Sequence, residues 1–348
     1  MKFRAAALLL LTILGLRVWW AVETEAPLSG SPTEVVIPAG ASTQGIAERL
    51  AAAGLIQRSW SFHLLVRLRG DAGRMKAGRY KFEGPYSLLD IEQKIVEGDV
   101  ERREITFPEG KSMFDMAEIA MKAGFTSRGF LSAAKDSGLI TDLDPTAQSL
   151  EGYLFPETYE LKDGSNEAAL IADMVKYSRG VFDGLGLGPE GRTIAGLPLT
   201  LAQIVTLASI VELETATPEE RPRIAGVFLN RLRLGMRLQT GPTVIYALKL
   251  EGKYHGNIHK ADLSNDSPYN TYRWVGLPPG PIGSPGRAAL NAVLQPEETD
   301  ALYFVSRNDG THVFSSRLSD HEKAVDAFQR RRSSRLPRPA ISPAPPEK

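Results

Sequence analysis

Two carboxylates, Glu212 and Glu214, close the stretch LASIVELETAT (Leu207–Thr217), and Glu212 stands where a buried helix asks for an apolar side chain. Thr200, with Gln203 three residues on, has the form of a capping box and marks the start of that helix. Leu201, Ile204, Val205, Ala208 and Val211 recur at helical spacing, and Glu212 continues their face. A carboxyl group set against apolar neighbours loses solvation of its charged form. Its pKa rises, and it can hold a proton near neutrality as a general acid must. A structural reading competes with this: Glu212 ends the apolar stripe and pairs with Arg221 or Arg223 just beyond the turn. Glu214, about 200° further round the helix, reads as a last-turn surface residue or as a partner of Arg221.

Other chemistries have less support. No serine sits in a nucleophile-elbow pattern, and the absence of cysteine removes disulfides, thiolate metal sites and a thiol nucleophile. His255 and His259, with Asp262, have the spacing of metal ligands, yet Gly256 and Asn257 put them on a loop and no glutamate base accompanies them. No metal is expected there. His312 reads as a packing residue. Formal charge is zero, 41 basic residues against 41 acidic, and no basic stripe alternates with aromatics, so no nucleic-acid partner is expected. A glycosidase that hydrolyses its substrate uses two carboxyl groups. One is enough where the nucleophile belongs to the substrate itself.

The elements that must position these groups describe an α+β chain. Lys2 and Arg4 precede the apolar run Ala5–Leu16, followed by Arg17, Trp19 and Trp20, without a good small-residue cleavage site. Residues 1–22 therefore read as an uncleaved transmembrane anchor, with the early positive charges inside and everything beyond Val22 outside the cytoplasm. Residues 23–34 read as a tether. From Val35 a strand, a turn and a helix capped by Ser42 begin a small unit, 35–104, with a second helix near Trp60–Leu68 and a strand, turn and helix ending at Gly98. Seventy residues on, ITFPEGKSMFDMAEIAMKAGF repeats that opening, matching Pro38, Gly40 and Ser42 with Pro108, Gly110 and Ser112. The small unit has the look of a LysM-like glycan-binding module. The larger domain, 105–329, contains the glycine-rich connector GLGLGPEGR, read as a flexible joint. It also holds a proline-dense loop through Tyr269–Gly286 and a hairpin turning at Asn308–Gly310. Residues 330–348, rich in arginine and proline, read as a disordered tail.

The blocks LASIVELETA, NRLRLGMRLQT, PTVIYAL, YNTY, GLPPGPI and LEGYLFPETY, in that order apart from the last, closely resemble the membrane-anchored endolytic murein transglycosylases of the YceG-like group. The resemblance implies bacterial peptidoglycan as substrate, cut within glycan strands between N-acetylmuramic acid and N-acetylglucosamine to leave 1,6-anhydro ends, with strand termination as its consequence. It implies that Glu212 is the catalytic glutamate, protonating the glycosidic oxygen and then accepting the proton of the muramyl C6 hydroxyl. It sets Tyr272 beside the cleavage site, with Asn270 and Thr271 shaping the loop and Gln239, Thr240, Thr243 and Tyr246 lining the glycan groove. Many relatives have Asp where this chain has Gly241. The implied location is the bacterial inner membrane, through one helix, with penicillin-binding proteins and other wall-synthesis enzymes as partners and no cofactor. Three rivals remain: a non-catalytic peptidoglycan-binding scaffold, a hydrolytic glycosidase, and the pyridoxal-phosphate chemistry suggested by aminodeoxychorismate lyase, an older label for relatives.

Overall fold

The computed structural model describes residues 32–84, 86–101, 103–161 and 165–330. The expected anchor, most of the tether and the tail beyond Arg330 lie outside these. The chain divides into two compact units, one up to Glu104 with residues 160–164, the other made of Ile105–Tyr159 and Ser165 onward.

In the first unit β1 (Thr33–Ile37) pairs antiparallel with β2 (Gly78–Phe82), and α1 (Thr43–Ala52) and α2 (Ser59–Arg69) connect them. Alternation fixes the buried face: Val35 lies opposite Tyr80, and Ile37, Tyr80 and Phe82 are buried with it. Ile46, Leu50, Phe62 and Val66 from the helices complete the core with Leu88, Ile91 and Ile95 of α3 (Leu88–Glu97). Local chemistry sets the helix ends. Ser42 accepts the Gly45 N–H at 3.1 Å, Ser87 and Asp90 form a capping box, and Gly98 ends α3 in the left-handed region at φ 73°.

The second unit opens with the repeated turn. β3 (Arg103–Thr106) pairs with β4 (Thr158–Leu161), and Ser112 caps α4 (Met113–Lys122) through a capping box with Asp115. α5 (Ser127–Ala134) and α6 (Glu167–Gly184) follow, and then a short hairpin, β5 (Arg192–Ile194) with β6 (Leu197–Leu199), where the sequence reading expects only a connector. The connector before this hairpin is not a flexible joint. Gly191 donates to the Gly188 carbonyl at 2.9 Å, and a Cβ at Gly191 would stand 1.9 Å from the Leu199 carbonyl oxygen, so the backbone is packed where only glycine fits.

The centre is α7 (Leu201–Glu214), capped by the expected Thr200–Gln203 box. Every residue from Ile204 to Val211 is buried, so the helix has no solvent face over two turns and acts as the axis of the domain. Around it pack α8 (Arg221–Arg233), α9 (Gly241–Leu250) and α10 (Arg287–Leu294). The hairpin β7 (Tyr303–Ser306) with β8 (His312–Ser315), turning through Asn308 at φ 63°, leads into α11 (Leu318–Val325). The architecture is α+β, with helices around small two-stranded sheets.

Candidate active site

At its last turn α7 leaves the core, and there its two carboxylates diverge, as positions two apart on a helix must. Glu212 turns toward α8 and the proline-dense loop. Its Oε1 accepts the Arg221 guanidinium at 2.7 Å and its Oε2 accepts the backbone N–H of Gly286 at 3.0 Å, with a side chain only 5% exposed. Gly286 is the N-cap of α10, so the carboxylate also meets the positive end of that helix. Burial pushes the Glu212 pKa up, while the Gly286 N–H and Arg221 draw it back. Both oxygens are engaged by the protein, and the structural pairing with Arg221 that the sequence allowed is present.

The repeated turn closes this corner. Gly110 donates to the Ser284 carbonyl at 2.9 Å and Ser284 donates to that of Lys111 at 2.9 Å, fastening the loop to the turn. Ile282 N–H donates to Ser209 Oγ on α7 at 3.1 Å. Gly110 and Gly40 share the left-handed conformation, at φ 73° and 76°. Space distinguishes them: a Cβ at Gly40 meets nothing within 4 Å, whereas at Gly110 it meets Leu213 at 3.2 Å and Glu212 at 3.6 Å.

Glu214 turns the other way. It is neither a surface residue nor a partner of Arg221: its Oε1 accepts a short hydrogen bond from Thr240 Oγ1, and its side chain lies on the wall of a cavity of about 700 Å³. Burial raises its pKa, partly offset by the Thr240 bond, His312 and Arg231. The unfavourable negative end of α7 acts in the same direction as burial. Tyr272, Gln239, Gly241, Arg231, Tyr303 and His312 share the cavity wall. Arg231 is held by the backbone: its Nε donates to the Leu302 carbonyl at 2.6 Å and its Nη1 to that of Leu238 at 2.6 Å. A buried cation beside the cavity is thereby fixed in place.

The residues expected along the groove divide into two groups. Tyr272 and Gln239 line the cavity, and Gln239 holds a left-handed backbone at φ 52°, strain of the kind that a surrounding network must maintain. That network consists of the others. Thr240, Thr243, Asn270 and Thr271 are each at most 2% exposed. Thr271 takes the Thr240 N–H at 3.1 Å and lies 2.8 Å from Thr243 Oγ1, and its carbonyl takes the Gln239 N–H at 3.1 Å. Asn270 donates to the carbonyls of Leu263 and Asn265 and accepts from Tyr272 N–H. Thr243 and Tyr246 do not face the groove. Tyr246, 2% exposed, packs on Tyr269 and hydrogen-bonds buried Glu151, whose carboxylate takes the Met113 N–H at the first turn of α4. Gly241 has room: a Cβ there meets only Ile258 Cδ1, at 3.6 Å.

This arrangement sits inside a shared sequence. The profile of the YceG-like family matches residues 35–327. The chain belongs to the YceG-like family. An endolytic murein transglycosylase of Bacillus subtilis (strain 168) is 31% identical over 317 residues, covering 86% of each chain. One of Streptococcus pneumoniae serotype 2 (strain D39) is 32% identical over 342 residues, covering 88% of this YceG-like chain and 60% of the longer relative. The crystal structure of the yceG-like protein lmo1499 from Listeria monocytogenes superposes with a TM-score of 0.55 at 31% identity, covering 85% of this chain and 99% of that one.

Two polar groups of this cavity differ from what their sequence context predicts. Glu214, expected at the surface or on Arg221, lies on the cavity wall because α7 is buried on all sides from Ile204 to Val211, and His312, expected only to pack, also meets Glu220, 92 residues away in sequence.

Proposed function

We propose that Glu214 is the general acid of a lytic transglycosylase that cleaves peptidoglycan glycan strands. Membership of the YceG-like family, with relatives named endolytic murein transglycosylase, makes the chain a lytic transglycosylase of the bacterial wall. The observation that carries the assignment of the acid is the position of Glu214 on the wall of a sugar-sized cavity, where burial raises its pKa. Glu212, which the family resemblance would make the acid, has both oxygens occupied within the protein. In this reading Glu214 protonates the bridging oxygen between N-acetylmuramic acid and N-acetylglucosamine, and the C1–O bond breaks. The muramyl C6 oxygen bonds to C1 as its proton passes to the Glu214 carboxylate, which is thereby reset for the next cycle. No water is consumed and no cofactor is needed. Tyr272 and Gln239 bind sugar along the wall, and the fixed Arg231 charge stabilises the carboxylate once its proton has left.

Around that chemistry the reading extends to an enzyme held at the inner membrane by residues 1–22, its catalytic unit outside the cytoplasm, cutting nascent strands and ending their elongation beside penicillin-binding proteins. The βααβ unit would hold glycan as a LysM-like module does. The test uses purified protein and uncross-linked glycan strands. Mass spectrometry is expected to find 1,6-anhydro ends, one water lighter than hydrolytic ends, and Glu214→Gln to abolish them. Anhydro ends at the wild-type rate from Glu214→Gln, together with their loss from Glu212→Gln, would return the acid role to Glu212.

A further inference from the structure

Two segments of the second unit run side by side and carry an apolar surface that the chemistry leaves unused. Leu234 caps the end of α8, and the chain from there to Gln239 passes along Thr271–Gly276. The Gln239 N–H donates to the Thr271 carbonyl at 3.1 Å, Arg237 Nη1 donates to that of Tyr272 at 2.9 Å, and Leu232 and Gly276 line one groove. This register sets Leu234 beside Trp274 and Val275. All three stand in solvent, 59%, 49% and 62% exposed. Single apolar side chains on a surface need no explanation, whereas three large ones gathered on one crest mark a place of contact.

Arginines ring the crest. Arg233, Arg237 and Arg273 are all exposed. Arg233 donates to Asn230 Oδ1 at 2.7 Å and Arg237 to the Tyr272 carbonyl, so neither charge is neutralised by a carboxylate among the described residues. Arg273 pairs with Asp266 at 2.9 Å, an exposed bridge of the weak kind, and lies 5.5 Å from the centre of the Trp274 ring. The Trp274 indole N–H is already satisfied by the Ser267 carbonyl at 3.1 Å, so the ring can leave water without stranding a donor. Apolar side chains with an indole among them and guanidinium groups around them suit a lipid interface, the first entering the acyl boundary and the second resting on phosphates. We propose that the crest of Leu234, Trp274 and Val275 docks on an anionic lipid surface, with Arg233, Arg237 and Arg273 on its phosphates. Leu238, Gln239 and Tyr272 of the same two segments line the Glu214 cavity, so the contact holds that cavity at the bilayer surface. The inference does not use the assignment of the acid, and it adds a second contact to the proposed anchor at residues 1–22.

The chain has no cysteine, so Val275→Cys in the full chain takes one fluorescent label at the crest. Emission is measured with vesicles of mixed phosphatidylglycerol and phosphatidylcholine, and with vesicles of phosphatidylcholine alone, each with brominated acyl chains as quencher. Quenching is expected in the anionic vesicles and weakly, if at all, in the neutral ones. Adding Arg233→Gln is expected to lower the ratio of docked to undocked label about fivefold. A label that stays in water while the protein sediments with anionic vesicles would overturn the inference and leave the anchor standing. Equal quenching in both vesicles would also overturn it, because the arginines would then add nothing. Cross-linking of Val275→Cys between two copies, with the label unquenched, assigns the crest to self-association and rejects the lipid contact. Failure to sediment with either vesicle defeats the anchor and the inference together. If the labelled chain does not fold, Leu234→Cys carries the label under the same criteria.

Discussion

At the scale of single residues, the two glutamates of one helical turn illustrate how a carboxylate takes its role from its surroundings. Glu212 is held in a nearly closed ion pair, and deleting one member of such a pair leaves an unmatched charge in a poorly solvated place. Glu212→Gln is expected to lower unfolding free energy by about 3 kcal/mol, read by chemical denaturation, while the remaining folded protein still forms anhydro ends. Gly241 offers the opposite experiment, an addition. Space exists for a side chain, and a carboxylate on the same cavity wall disfavours the charged form of Glu214. Gly241→Asp is expected to fold normally and to shift the basic limb of the activity profile, where Glu214 loses its proton, to higher pH. A shift to lower pH would show that the two groups do not share a field.

At the scale of elements, the repeated turn shows one local solution serving two purposes. Gly40→Ala and Gly110→Ala each place an alanine in the left-handed region and each is expected to cost about 1 kcal/mol in stability. Only the second also presses on Leu213 and Glu212, so only it is expected to reduce turnover. Equal losses of turnover would mean that the turn's contact with α7 has no bearing on the site. One tie between α4 and α9 is Glu151, 3% exposed, whose pKa burial raises to about 7. A carboxyl whose folded pKa exceeds its unfolded value stabilises the fold in its protonated form. That contribution is complete at low pH, falls as pH rises from the ordinary carboxylate range through about 7, and is gone above it. The difference is on the order of 3 kcal/mol, and Glu151→Gln is expected to flatten the slope in denaturation measured across that window.

At the scale of the whole molecule, the two units have separate cores, and every residue of the Glu214 cavity and of the Glu212 pair belongs to the second. Damage to the first core should therefore leave the chemistry intact. Leu50 is fully buried in the first unit, and Leu50→Ala is expected to destabilise it by about 3 kcal/mol, while kcat on short glycan strands stays at the wild-type value. A matching fall in kcat at temperatures where the second unit remains folded would mean that the first unit contributes directly to turnover.

Much of this chain follows from local rules. Ser42, Ser112 and Thr200 each cap a helix within three residues of their own position, and the turn through Asn308–Gly310 joins β7 to β8 by backbone preference alone. Such signals depend on neighbours in sequence, so the sequence contains them whole. The blocks that carry the family resemblance are likewise sequence. What it could not contain is which carboxylate faces the cavity. That is decided by Arg221 and Gly286 closing over one side of α7 while Thr240 and β8 open the other. Burial all round α7 erased the amphipathic pattern that would have oriented it, and the pairing of His312 with Glu220 exists only once β8 is laid against the start of α8. Orientation about a fully buried axis is a property of the packed whole.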